Sequence, residues 1–190
     1  MDSLFGLKGA DFVILAGETT IMQSIFKLCP NKDKSRQLSD NVVIGMSGET
    51  CQRDTFGPYI QGNLQYLKLR NGYSYSVEEI ANFTRTKLAE SMRKQPYQVN
   101  SLIAGCDKKG PQLFWLDYLG TLAQVDYGAH GHAGYFVSSV LSNDFKPDLN
   151  REEALNIIKK AILELKTRFL ISQDNFKIQF IDKNGIEIIN

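Results

Sequence analysis

Strong charge imbalance is missing from this chain of 190 residues: 22 Lys and Arg stand against 21 Asp and Glu, leaving a net charge of +1. Nucleic acid and anionic membrane surfaces are held chiefly by surplus positive charge, so neither is expected as the main partner. No long apolar run is present either. A membrane helix needs ~18 consecutive apolar residues, and nothing here approaches that length. Cysteine is scarce and odd in number, with Cys29, Cys51 and Cys106 scattered along the chain. Reduced thiols are the simplest reading, and they suit the cytosol or nucleus. A strand-like segment begins at once, so no secretory signal peptide is expected, and Asn82-Phe83-Thr84 is read as a chance glycosylation sequon.

Only two histidines occur, His130 and His132. Two ligands one residue apart fall short of the roughly four that a closed zinc site needs, so no metal is expected. They lie in Gly128-Ala129-His130-Gly131-His132-Ala133-Gly134, which has neither P-loop nor dinucleotide spacing. No cofactor is expected, and close backbone packing accounts better for the small residues. Repeats, linkers and low-complexity segments are lacking too. One domain over 1–190 is expected, burying roughly 70% of the unfolded chain's surface.

What is present is organised around the first eighteen residues. Leu4, Phe5 and Leu7 precede the turn Lys8-Gly9-Ala10-Asp11, where Gly9 is free to take positive φ. Phe12-Val13-Ile14-Leu15-Ala16 follows without a polar break, as a strand buried on both faces would. The chain therefore opens with a hairpin expected at the centre of a sheet. Residues 19–27 read as one short strand and 29–40 as a polar loop. Residues 41–47 read as a second buried strand.

Residues 49–69 carry apolar positions at helical spacing, with Pro58 in conflict; a kink there, or a start near Gly57, is expected. Ser76-Val77-Glu78-Glu79 is a capping box opening a second helix to about Lys94. Strands over 99–105, 112–117 and 121–127 form an antiparallel meander. Residues 128–134 read as a loop into a helix ending at Leu141. Asn150 caps a last helix, with Glu152 and Glu153 complementing its dipole. The final hairpin turns at Asn184-Gly185, a strong hairpin signal. Tyr73, Tyr75, Tyr97, Trp115, Tyr118 and Tyr127 are candidates for either core or interface anchors. The order of elements predicts an α+β fold, a four-layer αββα sandwich of two antiparallel sheets between helix layers.

This order resembles the N-terminal nucleophile hydrolases, and the local strings resemble the beta subunits of the eukaryotic 20S proteasome. The strings are Phe12-Val13-Ile14-Leu15-Ala16, Tyr59-Ile60-Gln61, Arg70-Asn71-Gly72-Tyr73, Asn82-Phe83-Thr84-Arg85, Pro96-Tyr97-Gln98-Val99-Asn100, Ala129-His130-Gly131 and Ile181-Asp182-Lys183-Asn184-Gly185-Ile186. They span nearly the whole chain and match best the non-catalytic subunit at the fourth position of the beta ring. The resemblance implies, as partners, the beta subunits at positions three and five, the alpha ring and the opposite beta ring. It also implies a place in ATP- and ubiquitin-dependent protein degradation, in the cytoplasm and nucleus.

Active members of that family attack with an N-terminal threonine whose free α-amine serves as its own base. The resemblance places that threonine on Asp2, behind Met1, with no propeptide expected to be cut. The family's first supporting aspartate falls on Glu18 and its essential lysine on Lys34. The serine of its glycine-rich loop falls on Gly131, its later aspartate on Phe169 and the following serine on Ser172. The nucleophile, one acid and one hydroxyl are thus gone, so no catalytic residue is expected. Lys34 reads as one charge of the polar run Lys32-Asp33-Lys34-Ser35-Arg36. The alternative is an active amidohydrolase using Ser3 once Met1 and Asp2 are trimmed.

Overall fold

The structure is a computed structural model that describes residues 2–24 and 26–189. In chain order its elements are β1 (Ser3–Lys8), β2 (Phe12–Glu18), β3 (Ile21–Gln23), β4 (Phe26–Cys29), β5 (Ser35–Ser39), β6 (Val42–Gly48), α1 (Thr50–Asn71) and α2 (Val77–Met92). Then follow β7 (Val99–Asp107), β8 (Gly110–Leu116), β9 (Leu122–Val125), β10 (Tyr127–Gly131), α3 (Ala133–Asp144), α4 (Arg151–Arg168), β11 (Phe176–Asp182) and β12 (Gly185–Ile189). One five-stranded sheet runs β10-β1-β2-β11-β12 and the other β5-β6-β7-β8-β9. Every pairing in both is antiparallel. The opening hairpin sits at the middle of the first sheet, as its two-sided apolar strands require.

Alternation along the strands sorts the core into three layers. On β2, Phe12, Ile14 and Ala16 face α3 and α4 with Phe5, Leu7 and Phe180. Val13 and Leu15 turn the other way, meeting Leu4, Val43, Leu102, Leu113 and Ile181 between the sheets. On the far side Ile44, Met46, Ile103 and Phe114 pack against Phe56, Ile60, Ile80 and Leu88 of α1 and α2. The result is the expected αββα sandwich.

Both expected caps form, and the Asn150 cap is a full capping box like that at Ser76. Ser76 accepts from the Glu79 amide, Asn150 accepts from the Glu153 amide, and each glutamate reaches back to its cap's amide. Gly72 closes α1 in the left-handed region at φ 75° and Gly185 turns the last hairpin at φ 132°. Gly9 differs from expectation, since it is not among the residues with positive φ. A Cβ there would come within 2.3 Å of the Phe12 ring, so the turn needs glycine for close packing.

Three element expectations are corrected, and of the two alternatives at Pro58 the start near Gly57 is excluded. Residues 19–27 hold β3 and the start of β4, paired as a small separate hairpin. The 29–40 loop contains β5, an edge strand that exposes Arg36 and Gln37 while Leu38 enters the core. Helix α1 starts at Thr50, not near Gly57, and runs through Pro58. The amide that proline lacks would have bonded to the carbonyl of Asp54, a residue on the exposed side of the helix. Finally, 128–131 belongs to strand β10, which pairs with β1 in register Ser3↔Gly131 through Leu7↔Tyr127. Its small residues hid it, and they are needed because Trp115 covers Gly128, where a Cβ would lie 3.3 Å from the indole.

The aromatic candidates divide. Tyr73 and Tyr118 are exposed. Tyr75, Tyr97, Trp115 and Tyr127 are partly buried against the three core layers.

Candidate functional site

Asp2 lies immediately before β1, where three other pieces of chain converge on its carboxylate. Lys34, just before β5, donates from Nζ to Asp2 Oδ1 at 2.6 Å. Arg53, near the start of α1, donates from Nη1 to Asp2 Oδ2 at 2.8 Å. The amide of Gly48, ending β6, donates to the same Oδ2 at 3.0 Å. The Asp2 carbonyl is held as well, accepting from the His132 amide at 3.1 Å.

Lys34 is saturated. Beyond Asp2 it donates to Glu18 Oε2 at 2.6 Å and to the Thr20 carbonyl at 2.7 Å. An ammonium has three protons, and three acceptors take them. Glu18 is fixed in turn by the Thr20 amide, which donates to Oε1 at 2.7 Å. Lys34 is only 7% exposed, and Glu18 and Arg53 are each 1% exposed. Lys34 is therefore no solvated member of a charged run, as its neighbours suggested; it is the hub of a buried network. Arg53 was missed altogether from the sequence. Its only signal is a cation on the helix face that also carries Phe56, Gly57 and Ile60.

Two cations face two carboxylates, so the cluster is neutral overall. Removing ions from water is expensive, and close, hydrogen-bonded opposite charges offset that penalty. At Asp2 burial works to raise the carboxyl pKa. The charges of Lys34 and Arg53, with hydrogen bonds from Lys34 and Gly48, outweigh burial and hold it below its ordinary value. Asp2 is thus ionised at neutral pH.

Two glycines shape the site. Gly48 takes φ 129°, and a Cβ there would stand 2.1 Å from the Gln98 carbonyl oxygen. That conformation turns its amide toward Asp2. Gly131 takes φ 73°, and a Cβ there would stand 2.0 Å from the Asp2 carbonyl oxygen. Behind the network, between Ser3, Glu18, Lys34 and Gly45, is a cavity of about 10 Å³. That is room for about one water and no more.

A family profile described as Proteasome subunit matches residues 2–181. The chain belongs to the proteasome subunit family. It is 40% identical to "Proteasome subunit beta type-2-B" of Arabidopsis thaliana, over 97% of this chain and 94% of that one. It is 37% identical to "Proteasome subunit beta type-4" of Saccharomyces cerevisiae, over 100% of this chain and 98% of that one. With "Probable proteasome subunit beta type-4" of Schizosaccharomyces pombe it shares 38% identity over all of both chains. The chain is a proteasome beta subunit, and membership implies assembly with other proteasome subunits.

Within that family the predicted positions separate. Asp2, Glu18 and Lys34 come together in one network. Phe169 lies outside it, packed on His132 and Phe136 at centroid distances of 5.4 and 5.6 Å. Ser172 is exposed and donates to Asp174 at 2.8 Å, a contact within its own turn. Ser3 is buried in the β1 ladder, and its Oγ has no hydrogen-bond partner among the described residues.

The histidines serve the packing. His130 stacks on Trp115 at 4.6 Å, and its Nε2 faces the Ser101 carbonyl at 3.1 Å. That geometry makes Nε2 the donor. Burial lowers the His130 pKa to about 4, so the ring is neutral at pH 7. Among the described residues no group of three or more His, Cys, Asp or Glu is placed to hold a metal.

Proposed function

We propose that this chain is a non-catalytic, structural beta subunit of the 20S core particle. One observation carries the reading. Where the reaction needs a hydroxyl nucleophile and a free amine on one residue, the chain has a carboxylate bonded to Lys34, Arg53 and Gly48. A carboxylate is a poor nucleophile toward an amide. The lysine that would support chemistry has no proton left to offer. Reaction through Ser3 would require trimming away Asp2, which would leave buried Arg53 without its carboxylate.

The contribution to proteolysis is then architectural. The subunit closes the wall of the chamber and orders neighbours that cut, in ATP- and ubiquitin-dependent degradation. Its place is the fourth of the beta ring, between the subunits at positions three and five. On its other sides are the alpha ring and the opposite beta ring, in a particle of the cytoplasm and nucleus.

The test is native mass spectrometry of the tagged endogenous particle, with labelling by a threonine-reactive electrophile. The expected result is two copies of this chain per particle, with Met1 or Asp2 at the N-terminus and no label on it. A label on Ser3, or a species near the mass of one chain, would overturn the reading.

A further inference from the structure

Asp2 Oδ2 receives two donors from different elements, the Gly48 amide at 3.0 Å and Arg53 Nη1 at 2.8 Å. Lys34 Nζ, at 2.6 Å, supplies a third donor to the other oxygen. Two of the three donor groups are tied by contacts other than Asp2, and the third stands on a buried helix face. Gly48 is held by its left-handed conformation beneath the Gln98 carbonyl. Arg53 is rooted in α1 and fully buried. Lys34 is tied to Glu18 and the Thr20 carbonyl. Convergent, preorganised N–H groups of this kind form a receptor for an oxyanion. Arg53 Nε and Nη2 have no partner among the described residues, which adds unspent donor capacity beside it.

The geometry points to a built-in carboxylate receptor, made by Gly48, Arg53 and Lys34, in which the Asp2 side chain is the resident ligand. The site is then occupied as well as disarmed. The receptor class is small, planar and monovalent: a carboxylate bound through both oxygens. Removing the Asp2 side chain should convert an internal contact into an empty site for free carboxylates. This inference rests on the structural reading of the subunit but is tested separately from it, on the purified full chain and without reference to assembly or activity.

The experiment compares thermal unfolding of the chain and of Asp2→Gly in rising sodium formate, with sodium chloride as the ionic-strength control. Asp2→Gly should lose stability and regain part of it saturably with formate, while the parent chain gains nothing beyond the chloride control. A ligand of three heavy atoms cannot bind more tightly than about 1 mM, so titration into the tens of millimolar is needed. Equal responses to formate and chloride in Asp2→Gly would overturn the receptor. So would an unchanged stability of that variant. Where Asp2→Gly yields no soluble chain in either salt, Asp2→Asn and Asp2→Asn/Arg53→Met decide. If Arg53 serves the Asp2 carboxylate, removing its charge should recover stability lost in Asp2→Asn. Further loss in the double variant would overturn the assignment.

Discussion

At Asp2 a single carboxylate is the counter-charge of two buried cations, Lys34 and Arg53. Asp2→Asn keeps the shape but leaves Arg53 buried beside a neutral group. Breaking one partner out of a buried ion pair typically costs about 3–5 kcal/mol, and a loss of that order is expected in urea unfolding of the isolated chain. The pH dependence has a definite sign. The folded Asp2 pKa lies below its ordinary value of 3.8. Its contribution is therefore complete above about pH 4 and is lost as pH falls through the folded value. Asp33, lowered against its burial by hydrogen bonds from Lys177 and Ser35, acts in the same direction. The parent chain should lose stability steeply below pH 4, and Asp2→Asn should show a shallower acid limb. Parallel acid limbs would remove Asp2 from the account. Gly131→Ser should destabilise the chain. Its Cβ has no room beside the Asp2 carbonyl, and φ 73° disfavours any L side chain. Unchanged unfolding of that variant would show that β1 and β10 can part to admit it.

Among the elements, α1 holds a residue that helical propensity opposes. Pro58 lies inside it, exposed, five residues after the buried Asp2 partner Arg53. An interior proline costs up to about 3 kcal/mol relative to alanine. Pro58→Ala should therefore stabilise the chain by about 1–3 kcal/mol, raising Tm by roughly 2–4 °C per kcal/mol at this size. A lowered Tm would mean that the proline holds a bend which packing requires. The legible elements were those with local signals. The Ser76 capping box, the Asn150 cap and the Asn184-Gly185 turn lie in short strings whose chemistry is local. The buried strands announced themselves by apolar runs. Strands β5 and β10 did not, because an edge strand with one wet face and a strand of small residues both look like loops. The site was half legible. Asp2, Glu18 and Lys34 followed from the resemblance, but Arg53 acquires its meaning only from a contact 51 residues away in sequence. Lys34 misled because its sequence neighbours Lys32, Asp33 and Arg36 are less buried while it points inward.

For the whole molecule, the three core layers leave one apolar element without a place. The β3–β4 hairpin belongs to neither large sheet. Phe26 and Leu28, two apart on β4 and so on one face, are 67% and 61% exposed. A two-stranded hairpin has little stability of its own, and Lys27 to Asp174 at 3.1 Å is an exposed ion pair of small worth. A pair of large apolar side chains held outward on such an element is best explained by burial against another subunit, since the chain belongs to a family that assembles. Phe26→Ser/Leu28→Ser removes that surface without touching any of the three core layers. Stability of the isolated chain should stay within about 0.5 kcal/mol, as for surface changes generally. Incorporation into the particle, read as the ratio of tagged variant to tagged parent in the assembled fraction after co-expression, should fall several-fold. Equal incorporation would place the hairpin on a solvated face of the assembled subunit. A loss of stability in the isolated chain would instead make it part of the fold.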